Sequence, residues 1–213
     1  MEVEIAGRIV EVINIQKNIK GTYLRILNPR QIVITSKKSF TNKEMLSFIN
    51  NHIKWIEKKL GSMIYYDLED DEIVLFGKMY QIIIDDSNEF KFLGNKIYLK
   101  NKNEINTVYD YGYKIIENKF YEILKTMDLN KKITLSFRKM KTRWGVCHYH
   151  KNKVVLNKTL IFVPMELVSY VIYHELVHFY YPNHSKDYYN KLSQVCPLHK
   201  EYRKQLRKYL INY

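Results

Sequence analysis

Tyr173-His174-Glu175-Leu176-Val177-His178, continued after a short gap by Asn183-His184, is the stretch on which the reading of this chain turns. On a helix, His174 and His178 stand four residues apart, so both imidazoles leave one face and can meet a single metal ion. Glu175 lies about 100° further round, near enough to reach a water on that metal without being a ligand. A zinc hydrolase needs this set: protein ligands, one open position, and a carboxylate to take a proton from the water. Pro182 stops the helix soon after His178, so the chain can turn and bring His184 back as a third ligand. The alternative is a pair of core histidines bonded to backbone carbonyls. It is weakened by the setting, because Leu167, Val168, Tyr170, Val171, Ile172, Leu176, Val177 and Phe179 make the helix apolar nearly all round. A buried helix carrying two His and a Glu costs stability unless something binds them. The expected cofactor is one Zn²⁺, held by His174, His178, His184 and a water.

The 213 residues allow one large or two small domains, and 46% hydrophobic content suits a globular protein. No run approaches the roughly 18 apolar residues of a membrane span, so no membrane partner is expected. Met-Glu-Val-Glu-Ile at the N-terminus lacks the features of a signal peptide, and Cys147 and Cys196 cannot make a disulfide framework. The expected location is cytoplasmic, with both thiols buried or inert. A net charge of +13 suits a polyanionic partner, nucleic acid or nucleotide. The competing reading is compositional bias, since the charge is mostly Lys scattered among Asn and Ile.

The periodicities predict an α+β protein of two domains. Residues 1–100 read as a mainly antiparallel β module with one helix, and residues 101–213 as a metal-dependent hydrolase domain. The first helix runs from a capping box at Thr41 and Glu44 to Gly61, with His52 packed on its apolar stripe. Glu104 to Met127 reads as a long helix lying beside the metal helix. Ile133 to Cys147 and Val154 to Leu160 read as a strand pair, with His148 and His150 in the solvated turn between them. Ile133, Leu135 and Phe137 would share a face with Lys139, Lys141 and Arg143, so a bulge or break is expected near residue 138. Ser185 caps a short helix. Pro197 opens a last helix to about Leu210, with Leu198, Tyr202, Leu206 and Tyr209 inward and Lys200, Arg203, Lys204, Arg207 and Lys208 on a basic outer face, one candidate place for nucleic acid.

Arg138-Lys139-Met140-Lys141-Thr142-Arg143-Trp144-Gly145-Val146-Cys147, Val155-Leu156-Asn157 and the His174 to Ser185 stretch together resemble the YgjP-like metallopeptidase family, kin to the SprT-like zincins. Trp55-Ile56 and Phe76-Gly77-Lys78 also fit, so the resemblance covers most of the chain. It implies a zincin-like C-terminal domain whose metal helix lies under a small sheet, with an edge strand lining the cleft. It implies zinc at His174, His178 and His184, Glu175 as general base, and Lys141, Arg143, Trp144 and Asn157 as candidate substrate-binding residues. Two departures stand out: Val146 where family members often have Ser, and Tyr188-Tyr189 where they often have Phe-Trp. Neither is expected to touch the metal ligands. The metzincin pattern is set aside because Tyr181 occupies its glycine position and no Met follows Met165.

The resulting expectation is a Zn-dependent metallopeptidase acting on a peptide or protein. One alternative turns the same metal water on a nucleoside triphosphate, as in family members described as UTP pyrophosphatases, with Lys141 and Arg143 on the phosphates. Another is a DNA-associated protease that clears protein adducts. A purely structural zinc site is disfavoured, since such sites fill four positions with Cys and His.

Overall fold

The computed structural model describes residues 1–66, 68–87 and 89–209. It is an α+β protein, as expected, and its contacts divide it into two compact units: residues 1–65 with Lys208 and Tyr209, and residues 66–207. The division expected near residue 100 falls inside the second unit.

The first unit holds β1 (Glu2–Ile5), β2 (Arg8–Gln16), β3 (Tyr23–Asn28) and β4 (Gln31–Ser36) in the order β1-β2-β4-β3. Ala6 and Gly7, with φ of 50° and 73°, turn β1 into β2, the left-handed pair that a tight two-residue hairpin demands. β2 and β4 run parallel, while β1–β2 and β3–β4 are antiparallel, so the module is mainly antiparallel as expected. β4 sits centrally because Ile32, Val33 and Ile34 are all buried, and a strand covered on both faces belongs inside a sheet. Val10, Val12, Ile26, Ile32 and Ile34 close the core against Met45, Ile49, Ile56 and Leu60.

Those last four residues come from two helices rather than the single one expected: α1 (Asn42–Asn51) and α2 (Ile53–Ser62). The capping box at Thr41 and Glu44 is present. The break comes at His52. Its ring Nδ1 lies 2.8 Å from the Phe48 carbonyl, the acceptor its own backbone N–H would use in a continuous helix, and that N–H goes to Ile49 instead. His52 is exposed, with its ring against Phe48, and not packed in the core.

The second unit opens with the same topology. β5 (Glu72–Leu75), β6 (Lys78–Ile84), β7 (Lys91–Leu93) and β8 (Lys96–Leu99) are ordered β5-β6-β8-β7, with β6 parallel to β8 and a left-handed pair, Phe76 and Gly77, at the first turn. This hairpin is anchored to the metal-helix region: the Phe76 N–H donates to the Ile161 carbonyl at 2.7 Å. A Cβ on Gly77 would come within 2.8 Å of Pro164 Cγ.

α3 (Ile105–Thr126) packs on α4 (Met165–Val177), the helix that carries His174 and Glu175. β9 (Thr134–Arg138), β10 (Gly145–His148) and β11 (Lys153–Asn157) form a three-stranded sheet ordered β10-β11-β9. The strand break expected near residue 138 is there. The expected strand pair is instead a mixed sheet, with β9 parallel and β10 antiparallel to β11. α5 (Lys186–Val195) is capped by Ser185, whose hydroxyl accepts from the Tyr188 N–H, and α6 (His199–Leu206) follows. Leu198 precedes that helix and is exposed, not inward. The helix end expected at Leu210 lies outside the described residues.

Candidate metal centre

The last turn of α4 carries His174 and Glu175, and His178 follows as its C-cap with φ of −64° and ψ of −14°. Those are helical angles, so the four-residue spacing is kept although the helix has ended. The chain then turns through Pro182, and His184 comes back. Ligand nitrogens of His174, His178 and His184 all lie within 4.8 Å of one another, and His174 Nε2 is 3.2 Å from His184 Nε2. Two nitrogens bound tetrahedrally at zinc–imidazole bond lengths would be about 3.3 Å apart. The His174–His184 spacing therefore matches a shared ion. Three imidazoles with no thiolate suit zinc among the common divalent ions.

Hydrogen bonds select the nitrogens. The Tyr188 hydroxyl donates its single proton to the His174 backbone carbonyl at 2.9 Å, so at 2.7 Å from His174 Nδ1 it accepts. Nδ1 then carries the ring proton, and Nε2 presents its lone pair to the cluster. His178 Nδ1 lies 3.2 Å from the Tyr181 carbonyl, an acceptor only, which leaves its Nε2 free in the same way. Outer partners of this kind orient metal-binding histidines. Burial holds His174 near a pKa of about 3, helped by the neighbouring His178 and His184, and burial lowers His178 as well. Both rings are therefore neutral at pH 7, the state that binds metal. Tyr188, fully buried, thus touches a candidate ligand, which corrects the expectation that this departure lies away from the metal site.

Glu175 is 6% exposed. Burial pushes its carboxyl up to about 8, and the Cys147 backbone N–H and the charge of Arg143 pull it partly back. The sheet leaves room for it at Gly145: a Cβ there would sit 2.6 Å from Glu175 Oε1 and 2.7 Å from its Cγ. β10 therefore supplies both the donor and the gap that hold the carboxylate. Burial also raises the Cys147 thiol to about 12, so it is protonated and poorly nucleophilic at neutral pH.

β10 is an edge strand among the described strands. The Asn157 N–H donates to the Trp144 carbonyl at 2.8 Å, which fixes the phase of the ladder. By antiparallel alternation Val146 points its N–H and C=O at β11, while Gly145 and Cys147 point theirs away. The Cys147 N–H takes Glu175. The Gly145 N–H and the carbonyls of Gly145 and Cys147 remain on the open edge.

A cavity of about 680 Å³ lies over these groups, lined by the three histidines, Glu175, β10, Arg143 and Trp144. Lys141 is exposed and does not line it, and neither does Asn157. Asn157 is fully buried, and its amide donates to the Met140 and Arg143 carbonyls (both 2.8 Å) and accepts from the Met140 and Thr159 N–H groups. All four of its bonding positions are used in bracing the loop that presents Arg143 and Trp144. Arg203 and Arg207, assigned from the sequence to a basic outer face, line the cavity from the α6 side. Their placement depends on how α6 seats on α4, which helical periodicity does not encode. The resemblance implies that the Arg143-Trp144-Gly145 segment lies near the site, and it does, but the fit of Gly145 against Glu175 and the contact of Tyr188 with His174 were missed.

Residues 20–209 match the family described as YgjP-like, metallopeptidase domain. No curated protein matches the sequence. Among solved structures, the metallopeptidase zymogen of Methanocaldococcus jannaschii jannalysin is 26% identical over 43% of this chain and 92% of that chain, with a TM-score of 0.39. The metallopeptidase zymogen of Pyrococcus abyssi abylysin is 17% identical over 43% of this chain and 90% of that chain, with a TM-score of 0.40.

Proposed function

The chain belongs to the YgjP-like metallopeptidase family, and from that membership and the geometry of its histidine cluster we propose that it is a zinc-dependent peptidase with Glu175 as general base. The observation that carries the proposal is the seat of Glu175: a desolvated carboxylate, fixed by the Cys147 N–H and the missing Gly145 side chain, next to three convergent imidazoles. Zn²⁺ held by His174, His178 and His184 would supply Lewis acidity that polarises a carbonyl and acidifies a water.

The chain's own residues do the rest. The open edge of β10 offers the Gly145 N–H and the Gly145 and Cys147 carbonyls to an extended peptide, which would add as a further strand. Pairing there sets the scissile carbonyl over the histidines. Glu175 takes a proton from the attacking water and passes it to the leaving amine. Its raised pKa suits both halves of that transfer, since a carboxyl poised near neutrality can accept and return a proton. Cys147 and Cys196 are both free, which suits the reducing cytoplasm in which we place the protein. Among the described residues no helix is long and apolar enough to cross a membrane.

The test compares hydrolysis of an unfolded protein and of UTP by the zinc-loaded enzyme, with Glu175→Gln as the control. Cleavage of the protein substrate should fall by about 10²-fold or more in the variant, with zinc content unchanged. UTP cleavage that depends on Glu175, without proteolysis, would instead assign the site to phosphoanhydrides. Full proteolytic activity in the variant would remove Glu175 from the mechanism.

A further inference from the structure

Resting on the peptidase reading above, we infer that the cavity is built for peptides that carry a carboxylate close to the bond cleaved, with Arg143, Arg203 and Arg207 as its receivers. The three arginines line the cavity from two sides. Arg203 and Arg207 stand four residues apart where α6 ends, and so share one face. Arg143 comes from the loop before β10. Among the described residues Glu175 is the one acid in the lining, and it is buried against the Cys147 N–H. The wall is therefore cationic before any metal binds, and a divalent ion adds to it.

The charges lie within electrostatic reach of the reacting groups. Arg143 acts on Glu175, and Arg203 acts on His174 and Tyr170. Arg143 and Arg203 are exposed, so a substrate can reach them without first burying an unpaired charge. A planar guanidinium takes a carboxylate in a two-point fork that a lysine cannot offer. The position of the arginines decides where that carboxylate must be. They share one cavity with the histidines, so the anion lies within a residue or two of the scissile bond rather than at a distant subsite. Phosphate could use the same fork. A peptide is favoured because β10 also lines the cavity, and its open edge complements an extended chain and has no counterpart on a nucleotide. The carboxylate can come from a C-terminus or from an Asp or Glu side chain.

Three probes separate these cases, all built on a zinc-chelating succinyl hydroxamate followed by Leu: Leu-Gln-amide, which is neutral; Leu-Glu-amide, with a side-chain carboxylate; and Leu-Gln with a free C-terminus. Calorimetric titration of the zinc-loaded full chain should show that all three bind, and that at least one carboxylate probe binds about tenfold tighter than the neutral one. Which probe gains identifies the source of the carboxylate. The ratio of carboxylate to neutral affinity within each variant is the readout. It should fall to about threefold or less in Arg203→Gln and in Arg203→Gln/Arg207→Gln, and in wild type at high salt. Equal affinity for the three probes, or a preference that survives both variants, overturns the inference while leaving the metal site intact. Binding of none overturns the metal-site reading and the inference with it. UTP displacing the neutral probe at lower concentration than the carboxylate probes displace it assigns the arginines to phosphate and overturns the inference.

Discussion

A carboxylate as buried as that of Glu175 is held by what surrounds it, so its position is only as good as the contacts that fix it. Gly145 is one of these. Its conformation is ordinary, but the space a Cβ would take is filled by Glu175 Oε1, Cγ and Cδ at 2.6 to 2.9 Å. In Gly145→Ala the carboxylate must move, and a displaced general base is expected to cost about 10²-fold in kcat, with zinc content unchanged by metal analysis. Tyr188 acts on the other side of α4. Removing its hydroxyl in Tyr188→Phe leaves the His174 Nδ1–H and carbonyl without their partner and frees the ring to change tautomer. Zinc affinity, measured by competition with a chromophoric chelator, is expected to fall about tenfold. The His174, Glu175, His178 and His184 quartet was legible in the sequence because its geometry is local: helical spacing, then a proline stop. The roles of Gly145 and Tyr188 were not, because each acts on a group in a different element that only the packed chain brings near.

Among the elements, those governed by local rules were read well and those governed by a neighbour's demands were not. α3 spans Ile105–Thr126 against an expected 104–127, since its apolar repeat and ends are written in its own residues. The helix predicted over residues 41–61 breaks because the His52 ring takes the Phe48 carbonyl, a side-chain choice that periodicity does not carry. Its N-terminus is sound. Thr41→Ala should lower stability by about 1 kcal/mol in denaturant unfolding. The sign of the accompanying pH effect follows from Glu44, whose carboxyl is held below its ordinary 4.5 by the Thr41 N–H and hydroxyl. A carboxyl with a lower pKa folded than unfolded stabilises above its unfolded value, and that contribution is lost as pH falls through the folded one. Between about pH 6 and pH 3, wild type should therefore lose more stability than Thr41→Ala, so their difference narrows in acid.

In the whole molecule, the three candidate metal ligands, Glu175 and the cavity all belong to the unit of residues 66–207. An ion that binds the native state alone stabilises what it binds by mass action. Zinc should therefore slow amide hydrogen exchange across α4, β10 and the start of α5, and leave β1–β4 and α1 unchanged. Protection gained equally in both units would show that they open as one. Both units begin with a sheet of the same order, mainly antiparallel as expected, and in both the central pair of strands is parallel. Alternation of apolar residues reports which face of a strand is buried, and is silent about which strand lies beside it. The sequence by itself determined the α+β class and the grouping of His174, His178, His184 and Glu175 on and just after one helix, because the grouping follows from spacing along a few turns of chain. Tertiary structure alone decided which imidazole nitrogens turn towards the histidine cluster, what holds Glu175, which edge of β10 stays open and that Arg203 and Arg207 line the cavity. Those are contacts between residues distant in sequence, and they exist only once helices and strands have chosen their neighbours.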